Sequence, residues 1–309
     1  MIDELPQGAI LNDKFRILSL IGKGATSRVY LARDLGGVGQ YWAVKEITTH
    51  HLSPEDARAM AASFLREGAF LAELNHDGLP KVHDYFELGP AYYLVMEWIA
   101  GQTLLTAFEE RGSPFPVTDV ITWGMDLCRI LGYLHALEPH PVVVGDLKPG
   151  NIMRTYDGRL KIVDFGVARY AKGVRMEGGY TFVTPGFSPP EQYESHSLDT
   201  RSDIYALGAT MYYLMTGQDL ERFKFQVPPL RRFVPTASPQ IEELLQKCLH
   251  PDRTARNIEA GALRRRLQGT LDAENARPQP AREAKDILSS LYEGKRRNVQ
   301  GIRESLTEN

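Results

Sequence analysis

One stretch, from Val144 to Gly166, constrains the fold of this chain more than any other. Within it, two polar loops are separated by apolar runs and by the turn Tyr156-Asp157-Gly158. Asp-Gly between apolar runs is a strong β-hairpin signal, so the two loops are expected to lie back to back. Together they carry two acids, an amine and an amide, namely Asp146, Asp164, Lys148 and Asn151. Such a set suits the transfer of a phosphoryl group with bound magnesium.

The composition is that of an ordinary globular protein. The 309 residues are too many for one small core and fit one bilobal domain or two small ones. Hydrophobic residues make up 43% and charged residues 24%, both usual for a soluble chain. The formal charge of −3 predicts no general attraction to nucleic acid or to an anionic membrane.

Cysteines and apolar runs indicate the compartment. Cys128 and Cys248 lie among apolar neighbours, which predicts buried, reduced thiols and excludes a disulfide framework. The N-terminus has acids and a proline where a signal peptide would have basic residues and an apolar core. The longest apolar run, Ile204 to Met215, is shorter than the roughly 18 residues that span a bilayer. The sequence therefore predicts a cytoplasmic location and no membrane segment in this chain.

The residues up to about Trp98 are predicted to form antiparallel strands with one helix. Apolar runs at Phe15–Ile21 and Arg28–Ala32 flank a glycine-rich turn. Glycines let a backbone approach phosphate oxygens, but Gly-x-Gly-x-x-Ser alone is at least as typical of a plain hairpin turn. A dinucleotide-binding motif would need a helix after the glycines, and a second strand follows here.

A lysine and a glutamate in this first part are candidates for an internal ion pair. Lys45 lies inside the apolar strand Tyr41–Ile47. A lysine in a strand usually faces solvent, but the glycine-rich hairpin before this one raises the alternative that its amine reaches inward to nucleotide phosphates. Glu67 lies on the apolar side of a helix predicted from Ser53 to about Leu74. A carboxylate in that position needs a buried cationic partner, and Lys45 is the obvious candidate.

From about Ile99 the pattern becomes helical. Helices are predicted at Val117–Leu137, Ile204–Met215, Ile241–Leu249 and Ile258–Leu267. A polar loop at Ala168–Thr184 is too long and too polar to belong to a core. Strands followed by helices predict an α+β fold.

With these residues assembled, the chain resembles the eukaryotic-like Ser/Thr protein kinases, especially their bacterial branch, from about Lys14 to Leu267. The ordered set of motifs is highly specific for that family. The motifs are Gly22-x-Gly24-x-x-Ser27-x-Val29, Ala43-Val44-Lys45, Gly145-Asp146-Leu147-Lys148-Pro149-Gly150-Asn151, Asp164-Phe165-Gly166 and Pro189-Pro190-Glu191. The resemblance implies a bilobal fold with an N-lobe at residues 1–98 and a mainly helical C-lobe at 99–267. Residues 268–309 would form a charged tail, either a linker or a docking helix.

The resemblance also implies ATP and Mg²⁺ as cofactors and a protein with a Ser or Thr acceptor as substrate. Asp146 would accept or orient the proton of the substrate hydroxyl, and Lys148 would neutralise charge on the γ-phosphate. Lys45, oriented by Glu67, would hold the α- and β-phosphates. The magnesium ligands would be Asn151 and Asp164. The nucleotide would be contacted by Ile21, Gly22, Gly24, Ser27, Val29, Ala43, Lys45, Met96, Glu97, Trp98 and Met153.

Two further similarities concern bracing of the C-lobe. Asp203 stands where the family has an aspartate that ties the catalytic loop together, and Arg256 is similar to the arginine that pairs with Glu191. Thr184 is expected to bond Asp146 or Lys148 as a structural residue. The sequence leaves the oligomeric state open, a homodimer included.

Alternatives exist for each residue taken singly. Asp146 and Asp164 are also explained as turn or cap residues, and Asn151 as an Asx-turn residue. All the groups together, in this order, favour the kinase. The main alternative is a pseudokinase, a nucleotide-binding or scaffolding module, whose usual mark is loss of one of these groups or of Lys45. A small-molecule kinase is disfavoured by Lys148 and the Pro-Pro-Glu segment.

The chain departs from the family at Gly145. The family's His-Arg-Asp is Val144-Gly145-Asp146 here. In many kinases that arginine receives the phosphate of the activation loop through charge-assisted hydrogen bonds. Because glycine has no side chain, activity is predicted not to depend on phosphorylation of the loop in the usual way.

Replacing Thr181 and Tyr180 with Ala and Phe tests this expectation. The rate of phosphate transfer to a generic protein substrate should stay within a few fold of that of the unaltered protein. The reason is that no arginine precedes Asp146 to bind a phosphate on the loop. A loss of about a hundredfold would refute the idea.

Overall fold

The computed structural model describes residues 4–24, 27–37, 39–48, 53, 55, 62, 64, 68–89, 91–164, 169–170, 183–194 and 198–276. Three predictions fall on residues outside these ranges. They concern Glu67 as the partner of Lys45, the loop residues Tyr180 and Thr181, and residues 277–309 of the tail.

A six-stranded antiparallel sheet forms the N-terminal half, in the order β1-β2-β3-β4-β6-β5. Its strands are β1 Ile10–Leu11, β2 Phe15–Lys23, β3 Ser27–Asp34, β4 Tyr41–Thr48, β5 Val82–Leu88 and β6 Ala91–Glu97. A helical segment (α1), described at residues 68–73, lies between β4 and β5 and buries Leu71. The predicted strand–turn–strand around the glycines is confirmed.

Alternation along the strands sorts side chains between the two faces of this sheet, since successive residues point to opposite sides. Trp42 and Val44 of β4 join a core cluster on the outer face. Ala43 between them, and Met96 of β6, join the cluster that continues into the helical half. By the same period of two, Lys45 points towards the helical half and Glu46 away from it.

The outer face buries a carboxylate. Glu46 is only 4% exposed and accepts hydrogen bonds from the hydroxyls of Tyr93 at 2.8 Å and Tyr30 at 3.2 Å. Arg28 lies 3.5 Å from the same carboxylate. The Leu5 backbone N–H donates to the Tyr30 hydroxyl at 3.2 Å, so the N-terminal segment is tied onto this face of the sheet.

The second half is mainly helical. Its helices are α2 Leu104–Arg111, α3 Val117–His135, α4 Pro190–Glu194, α5 Thr200–Thr216, α6 Pro239–Cys248 and α7 Ala260–Asn275. The predicted apolar side of α3 is buried at every position: Val120, Ile121, Trp123, Leu127, Ile130, Leu131 and Leu134. α5 is buried along nearly its whole length, as its apolar run predicts. Asp199 is the N-cap of α5, and its carboxylate and backbone form a capping box with Ser202.

The hairpin predicted at Tyr156-Asp157-Gly158 is confirmed. β9 Ile152–Thr155 and β10 Leu160–Ile162 pair antiparallel across it, and Gly158 takes φ +91° in the turn. β7 Gly101–Thr103 adds to β9 as a third strand. A two-stranded ladder pairs β8 Val142–Val143 with β11 Arg169–Tyr170.

Both cysteines are buried, as predicted. Burial raises the pKa of the Cys248 thiol to about 12 and also raises the pKa of Cys128, so both thiols stay protonated at neutral pH. Within the described residues, no helix combines the length and apolar character needed to cross a membrane.

One buried ion pair joins α4 to the segment before α7. Arg256 is fully buried and donates to Glu191 at 2.5 Å and to the Arg201 carbonyl at 3.0 Å. The second oxygen of Glu191 accepts from the Ser202 hydroxyl at 2.9 Å. The predicted partnership of Arg256 with the glutamate is confirmed.

Replacing Arg256 with Met should lower the free energy of unfolding by about 3–5 kcal/mol, because it removes the cation that pairs with the buried Glu191 carboxylate. The matched control is Arg253→Met, since Arg253 has a side chain 35% exposed and lies 3.6 Å from Asp199. The control should cost less than about 1 kcal/mol. Urea unfolding of both variants measures the difference, and equal losses would contradict this account.

Candidate active site

The segment between β8 and β9 brings an acid, an amine and an amide together. Lys148 places its ammonium 2.8 Å from Asp146 Oδ2. A 3-10 turn at Pro149–Asn151 then folds Asn151 back, so that its amide nitrogen donates to Asp146 Oδ2 and to the Asp146 carbonyl, both at 2.9 Å. The tight turn is the local reason that residues five apart in sequence meet.

Thr184 closes this cluster from the other side. Its hydroxyl donates to Asp146 Oδ1 at 2.6 Å and accepts from the Lys148 ammonium at 2.9 Å. Its backbone N–H donates at 2.9 Å to the hydroxyl of Ser188, a residue only 3% exposed. The predicted bond of Thr184 to Asp146 or Lys148 is therefore confirmed, and it is made to both. The Asp146 carboxylate is oriented by three donors.

A second charged pair lies at the end of β10. Asp164 Oδ1 accepts from the Lys45 ammonium at 3.1 Å. The Lys45 side chain is 12% exposed, whereas that of Asp164 is 44% exposed. The inward direction of Lys45 follows from the alternation of β4, and the position of Asp164 follows from the β9–β10 hairpin. Residues 119 apart in sequence thus meet between the two halves of the molecule.

The donor set suits magnesium. Mg²⁺ binds oxygen ligands and is usually held by one or two protein side chains together with water and phosphates. The hydrogen bonds of Asn151 to Asp146 engage its amide nitrogen, and its amide oxygen is a ligand type that Mg²⁺ accepts. Asp164 supplies a partly exposed carboxylate. Among the residues described, no group of three or more His, Cys, Asp or Glu forms a larger metal site.

Asp203 holds the backbone of the loop that carries Asp146. It is fully buried on α5, and its two oxygens accept from the N–H groups of Val144 and Gly145, each at 3.0 Å. His135, at the end of α3, places Nε2 2.8 Å from Asp203 Oδ2. His135 was not singled out from the sequence. The available signal was that a buried carboxylate needs several donors.

Gly145 takes φ +76°, in the left-handed region where glycine has no steric penalty. Its carbonyl accepts from the side-chain amide of Gln192 at 3.1 Å, and Gln192 on α4 is fully buried. Gln192 was also missed from sequence, because nothing in a lone glutamine indicates a partner 47 residues away.

The residues expected around the nucleotide occupy the facing strands. Gly22 pairs with Val29 across the β2–β3 hairpin, and Gly24 N–H donates to the Ser27 carbonyl at 2.8 Å. Ala43 pairs with Met96, so both project from the same face of the sheet. The other four stand at Ile21 on β2, Glu97 at the end of β6, Trp98 just after it and Met153 on β9. Ile21 is 48% exposed and Trp98 is 38% exposed, the latter near the ring of Tyr41.

Comparison with known proteins assigns the family. Residues 15–265 match the family described as the protein kinase domain. The chain belongs to the protein kinase family. Both the resemblance and the α+β bilobal kinase fold read from the sequence are thereby confirmed.

The relatives of this kinase-family chain include bacterial Ser/Thr kinases. Serine/threonine-protein kinase C of Synechocystis sp. is 29% identical over 274 residues, which cover 84% of this chain and 50% of the relative. PknB of Mycolicibacterium smegmatis is 30% identical over 280 residues, covering 82% and 43%. The chain thus spans half or less of the length of these relatives.

A solved structure supports the fold. The crystal structure of the Mycobacterium tuberculosis PknI kinase domain has a TM-score of 0.69 to this chain, covers 87% of it and 100% of the PknI domain, and is 22% identical. At that identity the likeness concerns the arrangement of sheet and helices.

Replacing Gly145 with Ala should lower the free energy of unfolding by about 1–2 kcal/mol, because φ +76° is strained for any residue with a Cβ. Gly132→Ala is the matched control. Gly132 lies inside α3, and apart from its chain neighbours and the nearby backbone of its own helix no heavy atom lies within 4 Å of a Cβ built there. The control should stabilise by about 1 kcal/mol. Chemical denaturation of both variants should give opposite signs; a stabilised Gly145→Ala would contradict the conformation described.

Proposed function

We propose that this chain transfers the γ-phosphate of ATP to Ser or Thr hydroxyls of a protein, in a reaction that depends on magnesium. The observation that carries the proposal is the cluster of Asp146, Lys148 and Thr184. A base that must meet a substrate hydroxyl needs a fixed orientation, and three donors fix the Asp146 carboxylate. Lys148, next to it, is the cation for charge developing on the transferred phosphoryl group.

The nucleotide is proposed to lie between the sheet and the hairpin. Ile21, Val29 and Ala43 would cover the adenine from the N-lobe, residues 1–98, and Met153 would support it from the C-lobe, residues 99–267. Met96 would guard the pocket before the hinge Glu97-Trp98-Ile99. Gly22, Gly24 and Ser27 would bring backbone N–H groups to the phosphates.

Lys45 is proposed to hold the α- and β-phosphates, with Glu67 as its orienting partner. Its observed bond to Asp164 supports this role, because the amine already lies beside a proposed metal ligand. Asn151 and Asp164 would hold magnesium, which when bound neutralises phosphate charge.

Control of activity is proposed to differ from that of kinases with arginine before the catalytic aspartate. Gly145 offers a backbone and no cation at that position. The contacts that orient Asp146 come from Lys148, Asn151 and Thr184, and none of them requires a phosphate. We infer that another signal sets activity, and that the tail at residues 268–309, whose residues 268–275 continue α7, is a linker or a docking helix.

The partners proposed are ATP and a protein substrate, with no role in nucleic-acid binding. A cytoplasmic location fits the small formal net charge of −3 and the two free, buried cysteines. A homodimer is compatible with this assignment. The alternative function is a pseudokinase that binds nucleotide or acts as a scaffold.

Labelled ATP with magnesium separates these functions. The unaltered protein should label itself or a generic protein substrate, and Asp146→Asn should lower the rate by about 10²–10⁴-fold while nucleotide still binds. Asp157→Asn is the matched control, because Asp157 is 57% exposed in the hairpin turn, where it bonds Thr155 and Arg159. Its rate should be unchanged. Nucleotide binding with no transfer by the unaltered protein would favour the pseudokinase.

A further inference from the structure

Three separate segments of the chain meet at one buried amine. Lys161, the central residue of β10, is only 6% exposed. Its ammonium donates to Glu97 Oε2 at 2.9 Å and to the Leu79 carbonyl at 3.2 Å. Lys161 therefore connects the β9–β10 hairpin to the end of β6 and to the segment that precedes β5.

Further hydrogen bonds reinforce the same joint. Glu97 N–H donates to the Lys81 carbonyl at 2.8 Å, and Lys81 N–H donates to Glu97 Oε2 at 3.3 Å. The neighbour of Lys161, Ile162, donates its N–H to the Gly78 carbonyl at 2.9 Å. Glu97 is thus held on one side by its own half of the molecule and on the other by the buried ammonium.

The position of Lys161 in the hairpin places it near the proposed site of the nucleotide base rather than near the proposed site of the phosphates. Lys161 pairs with Met153 across β9 and β10, and directly paired residues project from the same face. Met153 is the proposed support of the adenine, and Glu97 begins the proposed hinge. The Lys161 ammonium bonds Glu97 and Leu79, whereas the proposed phosphate-binding amine, Lys45, bonds Asp164.

Stability alone does not account for a lysine here. Burying an ammonium carries a desolvation cost, and apolar residues of similar volume are often no less stable in place of a buried ion pair. The flanking residues Leu160 and Ile162 are themselves buried and apolar. What a charged pair adds over an apolar contact is direction, since it fixes one carboxylate oxygen against one amine.

We propose that Lys161 is a positioning residue for recognition of the nucleotide base. Its ammonium fixes the side chain of Glu97, and through it the hinge, against the hairpin that carries Met153. This inference rests on the proposed function, because it assumes that a nucleotide lies at Glu97 and Met153. Loss of Lys161 should loosen the base site and leave the phosphate and transfer groups as they are.

The test compares Lys161→Met with the matched control Lys81→Met. Lys81 has an exposed side chain and reaches Glu97 through its backbone. Lys161→Met should weaken Mg·ATP binding by about tenfold, with Mg·tripolyphosphate binding unchanged and kcat at saturating ATP within about threefold. Lys81→Met should leave all three quantities unchanged. Equal weakening of both ligands, or no weakening of ATP, would overturn the proposal.

A second variant keeps the test valid should Lys161→Met fail to fold. Glu97→Gln removes the partner charge at a side chain that is 35% exposed, so water can replace the lost contact. It should also weaken ATP and spare tripolyphosphate; an unchanged ATP affinity would count against the proposal. The double variant should be no weaker than the worse single variant, because both remove one interaction. Independent, multiplying effects would argue against the pair.

The two proposals fail in different ways. If the unaltered protein binds neither Mg·ATP nor Mg·tripolyphosphate, the proposed function is wrong, and the inference loses its basis with it. If the unaltered protein binds ATP and transfers phosphate, and Lys161→Met does the same with unchanged ATP affinity, the inference alone is wrong.

Discussion

The active-site geometry depends on one buried carboxylate. Asp203 is fully buried on α5, and a carboxylate without donors in such a place would be costly. Its donors are the backbone N–H groups of Val144 and Gly145 and the ring of His135. Those bonds form only if the chain follows one path after β8, and that path carries Asp146 to its partners. The core helix α5 therefore helps to determine the position of Asp146, the proposed catalytic base, through the backbone that precedes it.

The glycine before Asp146 has two physical effects, one on the charge of the loop and one on its backbone conformation. It removes a cation from the loop, and it allows the left-handed conformation without strain. The Gly145 carbonyl is in turn fixed by Gln192 from α4, the helix that also contributes Glu191 to the pair with Arg256. The loop that carries Asp146 is thus joined to α4 by a neutral hydrogen bond, and α4 is joined to the segment before α7 by an ion pair. Neither contact includes a phosphate.

Alternation and helical spacing predicted the strands of the first part, the hairpin at Tyr156-Asp157-Gly158 and the helices α3, α5, α6 and α7, whereas the bilobal kinase fold was implied by the resemblance. The close spacing of Asp146, Lys148 and Asn151 predicted that they lie on one loop. The strand β7, the helix α2 and the β8–β11 ladder were not predicted. The groups missed were those whose partners are distant in sequence. No sequence pattern indicates the partners of His135 and Gln192, which meet them only when α5 and α4 pack. The same is true of Lys161, because a lysine in a strand usually faces solvent. Sequence pattern reports which face a residue occupies; it does not report which element covers that face.

The helix α7 extends beyond the residues that match the kinase family. The match to the kinase family ends at residue 265, whereas α7 continues to Asn275. In its last turn the carboxylate of Glu274 accepts from the Ser238 N–H at 2.6 Å, and both residues are buried. Ser238 is also the residue whose hydroxyl caps α6. A fragment cut where the similarity stops would leave the start of α6 without a partner for that N–H. The last turn of α7 therefore belongs to the packing of the C-lobe, although it lies outside the family match.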